Sequence, residues 1–103
     1  MTEIQKRFHK DMLNIYQTAK RELGYNANRF LQMLSDIGGV ETAKRLITKE
    51  DGTYGFSILY EHKRLDLSVE AFVLKEDYRT LFSDEERELC RARLLKFGYN
   101  SLR

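Results

Sequence analysis

The stretch RLDLSVEAFVL, residues 64–74, decides the fold class of this chain. Apolar and polar side chains alternate strictly over residues 65–71, which is the pattern of a half-buried β-strand. Val69, Phe72 and Val73 also have the spacing of one helical face. The same residues therefore allow a strand, which could bring carboxylates together as in a nuclease, or a short approach that leads into a helix.

The rest of the chain favours the helix. No second convincing strand accompanies this stretch, and a lone strand would leave its backbone N–H and C=O groups without partners. We therefore predict an extended approach over residues 65–67 and a helix from about Ser68 to Leu74. Asp66 or Ser68 offers the N-cap, and Glu70 in the first turn suits the positive end of the helix dipole.

Capping signals predict a long helix at the N-terminus. Thr2 and Gln5 form a capping box, and Gly24 suits the left-handed residue that ends a helix. The apolar positions between them recur at steps of three and four, so residues 1–24 are predicted to form one long amphipathic helix. Shorter helices follow from the same spacing at about 28–37, 40–47 and 54–63.

A second capping box predicts the last helix. Ser83 and Glu86 open it, and Gly98 closes it. Its buried face is expected to contain Leu89, Cys90, Leu94 and Phe97. Its arginines, Arg93 among them, lie within one turn of acids and predict solvated helix support rather than a site.

Together these elements predict an all-α fold, a compact bundle of about five to six helices in which a long N-terminal helix precedes shorter ones. Residues 1–103 are expected to form a single helical domain, because a fold of this size buries enough apolar surface to be stable by itself. Apolar residues make up 42% of the chain and charged residues 33%, a composition that excludes intrinsic disorder.

Composition also predicts a soluble, cytoplasmic protein. Cys90 is the sole cysteine of the sequence, which excludes an internal disulfide and fits a reducing compartment. The first residues, MTEIQKRFHKDM, carry charges at every turn, unlike the apolar core of a secretory signal, and no apolar run approaches membrane-spanning length. The net charge of +2 gives weak support for a nucleic-acid partner.

No set of residues predicts a catalytic or metal centre. Asp51, Glu61 and Lys63 have the types and order of a metal-dependent nuclease core, but that chemistry needs carboxylates on adjacent strands, and these residues are predicted in a turn and at a helix end. His9, on a predicted exposed face, and His62 lack a partner at metal-binding spacing. We therefore expect no catalytic residue, no metal, no cofactor and no enzymatic activity.

A polar and basic stripe follows the predicted first helix. It consists of Lys6, Lys10, Asn14, Gln17 and Arg21, with Arg7 and Lys20 beside it. Basic side chains along a helix can contact phosphates and displace their counterions. Because Glu3, Asp11 and Glu22 interrupt the stripe, a solvated face is the simpler interpretation. Nucleic-acid binding through Lys6, Lys10 and Arg21 is the alternative.

Four segments between Tyr25 and Tyr99 carry a resemblance: RFLQMLSDIGGVETAKRLI, GFSILYEHKRLDLSVEAFVL, YRTLF and EERELCRARLLKFGY. They resemble a small helical module of uncharacterised bacterial proteins, sometimes free-standing and sometimes attached to nuclease domains of the HNH type. RLDLSVEAFVL is the most specific part, and residues 1–24 lie mostly outside the module. The resemblance implies a bacterial or phage origin and a link to DNA processing or defence, but no reaction.

The lack of a convergent catalytic set favours a protein that acts through its surface. We expect a non-catalytic interaction module that docks to or occludes a macromolecular partner, for example a phage-encoded inhibitor of a bacterial immune nuclease. Aromatic and arginine side chains dominate the energetics of protein interfaces. The expected anchors for a protein partner are Tyr16, Tyr25, Tyr54, Tyr60 and Arg64. The oligomeric state stays open.

Overall fold

The computed structural model describes residues 2–49 and 54–99, with the backbone alone of Tyr54. Over these residues it contains helices and no strand, which confirms the all-α prediction. The α-helices are α1 (Glu3–Leu23), α2 (Asn28–Ile37), α3 (Gly39–Ile47), α4 (Tyr54–Glu61), α5 (Val69–Val73) and α6 (Asp84–Lys96), and two 3-10 segments cover Leu65–Leu67 and Glu76–Leu81. None of the described helices combines the length and apolar character that crossing a membrane requires.

Helix α1 begins and ends at the predicted caps. The Thr2 hydroxyl accepts the Gln5 N–H at 3.3 Å, and the Gln5 side chain accepts the Thr2 N–H at 2.9 Å. Gly24 has a φ of 67°, which a side chain would disfavour. The next N–H, that of Tyr25, reaches back to the Ala19 carbonyl at 3.2 Å. The signals that begin and end α1 therefore depend on neighbouring residues and can be recognised in the sequence.

The deciding stretch folds as two short helical pieces. Residues 65–67 form a 3-10 turn instead of the predicted extended approach, because the N–H groups of Leu67 and Ser68 donate to carbonyls three residues earlier, both at 3.0 Å. Ser68 then caps α5, its hydroxyl accepting the Ala71 N–H at 3.1 Å. Asp66, the other candidate cap, pairs with Arg64.

The main core lies under the centre of α1. Phe8 and Met12 are fully buried there. The rings of Tyr78 and Phe82 meet Phe8 edge to face, with centroids at 4.9 and 5.2 Å. Such contacts join the second 3-10 segment and the residue that follows it to the first helix. A second cluster contains Phe56, Leu59, Leu65, Ala71 and Leu94.

Helices α1 and α3 approach so closely that the contact requires glycine. A Cβ atom at Gly39 would lie 2.7 Å from the Cα of His9, nearer than real Cβ contacts. At this crossing the Gly39 N–H donates to His9 Nδ1 at 2.9 Å. His9 is half-buried and bonded to the first turn of α3, which corrects the predicted exposed position.

Helix α6 keeps its predicted limits but not its predicted buried face. Its capping box forms, with Ser83 and Glu86 exchanging hydrogen bonds at 2.8 and 3.0 Å, and Tyr99 folds back to the Leu94 carbonyl at 2.9 Å. Cys90 and Leu94 are completely buried. Leu89, expected beside them, points outward with 47% of its surface exposed.

A buried ion pair ties three helices together. Arg93 donates to Glu70 at 2.7 Å, and the two side chains are 11% and 5% exposed. The same guanidinium donates to the carbonyls of Ile47 and Lys49 at 3.2 and 2.6 Å. The predicted solvated role of Arg93 is therefore wrong, since it joins α5, α6 and the end of α3.

Candidate interaction surfaces

The outer face of α6 carries apolar side chains that the core does not use. Leu89 and Leu95 are 47% and 52% exposed, and Ala92 between them is also exposed. Steps of three residues keep these positions on one side of a helix, opposite the buried Cys90 and Leu94. We call Leu89, Ala92 and Leu95 the outer α6 face. Exposed Glu88 and Lys96 share this side of the helix, so the apolar side chains stand among charged ones, as in an interface with a polar rim.

An exposed aromatic ring lies near the end of this helix. Tyr60, on α4, is 47% exposed and packs edge to face on Phe97, with ring centroids 4.9 Å apart. Phe97 follows the outer α6 face by two residues and in turn contacts Phe56 at 5.2 Å. The Tyr60 ring is thus held in place by its neighbours while half of its surface stays open.

The other predicted aromatic anchors are buried, half-buried or outside the described residues. Tyr16 is buried and donates its hydroxyl proton to Asn26 at 2.8 Å, so it does not have the surface position that an anchor requires. Tyr25 is half-buried. The side chain of Tyr54 lies outside the described residues. Among the predicted aromatic anchors that are described, Tyr60 offers the most exposed ring.

Arg64 pairs with two carboxylates of its own chain at the surface. It donates to Glu22 at 2.6 Å and to both carboxylate oxygens of Asp66 at 3.0 and 3.2 Å. The hydrogen bonds to Asp66 and Glu22 raise the pKa of the Arg64 guanidinium, and the hydrogen bond from Arg64 is the main cause that lowers the pKa of Glu22. Arg64 thereby fastens the end of α1 to the first 3-10 segment.

The basic stripe of α1 lies on the surface. Lys6, Lys10, Asn14, Gln17 and Arg21 are all exposed. Within the described part of the chain Lys10 makes no ion pair, while Lys6 lies 3.7 Å from Glu3 and Arg21 lies 3.6 Å from Glu22. The structure thus presents the whole stripe to solvent on the side of α1 away from the core.

Two acids that interrupt this stripe in the sequence have partners elsewhere in the chain. The Tyr78 hydroxyl donates to Asp11, and Glu22 pairs with Arg64. Burial, with the bond to Asp11, raises the pKa of Tyr78, so this phenol stays protonated and keeps donating. The sequence pattern alone could not predict that Asp11 pairs with Tyr78 and Glu22 with Arg64, because these partners are distant in the chain.

The nuclease-like residues do not form a described site. Asp51 lies outside the described residues, Glu61 ends α4, and Lys63 is exposed two residues later. Over residues 2–49 and 54–99, no three His, Cys, Asp or Glu side chains come together as a metal site. Cys90 is fully buried, and burial raises the pKa of its thiol to about 12, which keeps it protonated at neutral pH.

A cavity of about 620 Å³ lies between α1, α2 and α4. Its described walls are mostly apolar, and two polar groups along them already have partners: Tyr16 bonds to Asn26, and Glu70 pairs with Arg93. Lining residues stand on both sides of residues 50–53, which the structure does not describe. The described walls bring no nucleophile, base and orienting group together.

The outer α6 face is the feature that sequence reasoning missed. Leu89 was assigned to the buried face with Cys90 and Leu94, yet Leu89, Ala92 and Leu95 follow their own three-residue spacing. The three-residue spacing of Leu89, Ala92 and Leu95 was the sequence signal from which this face could have been predicted. Because α6 has apolar residues on two opposite sides, its sequence does not show which side meets the core.

Comparisons with protein families, with curated proteins and with solved structures find no match to this chain. The resemblance of residues 25–99 to a helical module of bacterial proteins therefore stays a prediction.

Proposed function

We propose that this protein is a non-catalytic accessory module that docks to a protein partner in the cytoplasm of a bacterium. The observation that carries the proposal is the outer α6 face, where Leu89 and Leu95 are about half exposed with Ala92 between them. Tyr60 adds an aromatic ring fixed against Phe97. Fixed aromatic and aliphatic side chains are the usual anchors of protein interfaces.

The proposed setting is bacterial or phage DNA processing or defence. The resemblance of residues 25–99 supports this setting, because the module that they resemble is sometimes attached to HNH-type nucleases. A small helical body without a reactive centre would act there by occupying a surface of its partner. Inhibition of a bacterial immune nuclease by a phage-encoded copy is one form of that mechanism.

A capture experiment with matched variants tests the proposal. The wild-type protein, a Leu89→Glu/Leu95→Glu variant and a Ser35→Glu/Thr80→Glu control are immobilised and exposed to bacterial lysate. All four positions are exposed, so circular dichroism should show the same fold in each. We expect wild type and control to retain a shared partner and the leucine variant to lose it at least tenfold, because a buried unpaired carboxylate opposes docking. Equal retention by all three proteins contradicts the proposal.

Nucleic-acid binding through α1 is a second candidate function. It is favoured by the exposed stripe and by the pairing of Asp11 with Tyr78 and of Glu22 with Arg64 and Arg21. Binding through Lys6, Lys10 and Arg21 must weaken steeply with salt, because each neutralised phosphate releases counterions. A gel-shift assay at two salt concentrations tests this, and the absence of a retarded species at low salt removes the candidate.

A further inference from the structure

The order of side chains along the exposed stripe of α1 distinguishes its ends from its middle. Lys6 and Lys10 lie at one end and Arg21 at the other, while Asn14 and Gln17 occupy the centre. At 100° per residue these five positions fall within about 80° of the helix circumference, and they extend over about 22 Å. Cations therefore flank a central pair of amides on one straight, exposed face.

This order matches the chemistry of a DNA groove. The major groove of duplex DNA, about 12 Å wide, admits an α-helix, with base edges on its floor and phosphates along both rims. Asn and Gln are the side chains that form paired hydrogen bonds with adenine, whereas Lys and Arg bind phosphates. A helix with amides between cations can place each type opposite its complementary group.

The acids near the stripe are paired, and the two that contact its cations, Glu3 and Glu22, lie at its two ends. Asp11 accepts a hydrogen bond from the Tyr78 hydroxyl, whereas Glu22 lies between Arg64 at 2.6 Å and Arg21 of the stripe at 3.6 Å. Glu3 stays at the outer end, beside Lys6. The centre of the stripe at Asn14 and Gln17 thus has cationic neighbours along the exposed face, a charge arrangement that complements a polyanion.

Other nucleic acids fit this face less well. The major groove of duplex RNA is too deep and narrow for side chains to read. Single strands are bound by stacking their bases on aromatic side chains, and the stripe contains none. Duplex DNA is the partner whose shape and charge the stripe complements.

We infer that α1 lies in the major groove of duplex DNA, where Asn14 and Gln17 contact base edges and Lys6, Lys10 and Arg21 contact the flanking phosphates. The inference rests on the second candidate function, nucleic-acid binding through α1. It adds that the partner is duplex DNA, that α1 enters the major groove, and that amides contact bases while cations contact phosphates. It predicts that the protein selects a short sequence, in which adenine is enriched opposite the amides.

The test begins with selection of bound duplexes from a random-sequence pool by wild type. Binding of the selected duplex and of an unselected duplex is then measured by fluorescence anisotropy at several salt concentrations. A Lys6→Ala/Lys10→Ala/Arg21→Ala variant should weaken binding to both duplexes and reduce the salt slope by about 2.7, at about 0.9 for each phosphate contact. An Arg45→Ala/Arg79→Ala/Lys96→Ala control, which removes three exposed cations elsewhere, should leave the slope near that of wild type.

The amide variant separates base contacts from general attraction. Asn14→Ala/Gln17→Ala should bind the unselected duplex as wild type does, with the same salt slope, and lose at least tenfold of the preference for the selected duplex. If wild type binds with steep salt dependence but selects no sequence, or if the amide variant keeps the preference, the groove inference is overturned while phosphate contact stands. Equal competition by duplex RNA or single-stranded DNA also overturns it. If no duplex binds at low salt, the second candidate function fails as well.

Discussion

Lys63 occupies a backbone conformation that favours glycine. Its φ is 60°, and no other non-glycine residue in the described ranges has a positive φ. The Arg64 N–H donates to the Leu59 carbonyl at 2.8 Å, which is the bond that closes a helix beyond a left-handed residue. Lys63 is therefore the left-handed residue that ends α4, as Gly24 is for α1. Unlike Gly24, it carries a Cβ atom, which disfavours this conformation.

Replacement of Lys63 by glycine should raise the free energy of unfolding. The left-handed conformation costs a side chain about 1 kcal/mol, and glycine removes that cost. Gly24→Ala is the matched reverse change, because a Cβ there meets nothing within 4 Å and only the backbone preference is altered. Urea unfolding of the two variants should show shifts of opposite sign. A Lys63→Gly protein less stable than wild type would show that the lysine side chain contributes more than the strain costs.

The charge of Glu86 predicts a loss of stability in acid. Burial by itself would raise the pKa of this carboxyl, but the Ser83 N–H and the Lys44 ammonium, 3.0 Å away, outweigh burial and lower it. A carboxyl with a lowered folded-state pKa stabilises the fold above its ordinary value of 4.5 and loses that contribution as the pH falls through the folded-state pKa.

Glu86→Gln isolates this contribution. The amide can still accept the Ser83 N–H, as Gln5 does at the other capping box, but it carries no charge for Lys44. We expect the variant to lose less stability than wild type in urea titrations as the pH falls from about 6 through the lowered pKa of Glu86. Identical pH dependence of the two proteins would contradict the assigned role of the Glu86 charge.

At the scale of elements, the buried pair of Glu70 and Arg93 holds α5 and α6 together. Arg93→Met should destabilise the protein by about 3–5 kcal/mol, because it leaves a buried carboxylate without its partner. The double variant Glu70→Leu/Arg93→Met should recover much of that loss, since neither charge remains.

A second ion pair on the same helix provides the control. Arg91 and Glu88 are also 2.7 Å apart, but their side chains are 42% and 66% exposed. Arg91→Met should therefore change the free energy of unfolding by less than about 1 kcal/mol. Equal effects of Arg91→Met and Arg93→Met in urea unfolding would contradict the importance given to burial.

The elements that the sequence predicted are those with local signals. The capping boxes at Thr2 and Ser83 and the helix end at Gly24 depend on residues within one turn. Neighbouring residues in the sequence are therefore enough to predict these helix ends. The extended approach before α5 was wrong because alternation of apolar residues over so short a span also suits a 3-10 turn. Helix limits were thus predictable to within a residue or two, apart from this stretch.

The contacts between elements were not predictable in the same way. Glu70 meets Arg93 across 23 residues of sequence, and His9 meets Gly39 across 30. The direction of Leu89 depends on which side of α6 meets the other helices. The candidate surfaces follow from such packing, so the stripe residues were predicted whereas the outer α6 face was not.

At the scale of the whole molecule, a body of 34 × 26 × 23 Å presents two unlike surfaces. The outer α6 face presents apolar side chains among charged ones, and the exposed side of α1 is basic and polar. Apolar surface suits a protein partner and basic surface suits phosphates. Substitutions confined to either surface should therefore affect one kind of partner without altering the fold.

Site-specific photo-crosslinking in bacterial cells tests most directly whether the outer α6 face docks to a protein. A photoreactive amino acid is placed at Ala92, in the middle of that face, and in a matched protein at exposed Ser35 on α2. We predict a discrete protein adduct from position 92 that position 35 does not give and that Leu89→Glu/Leu95→Glu abolishes. No adduct from position 92, or the same adduct from both positions, would contradict the account.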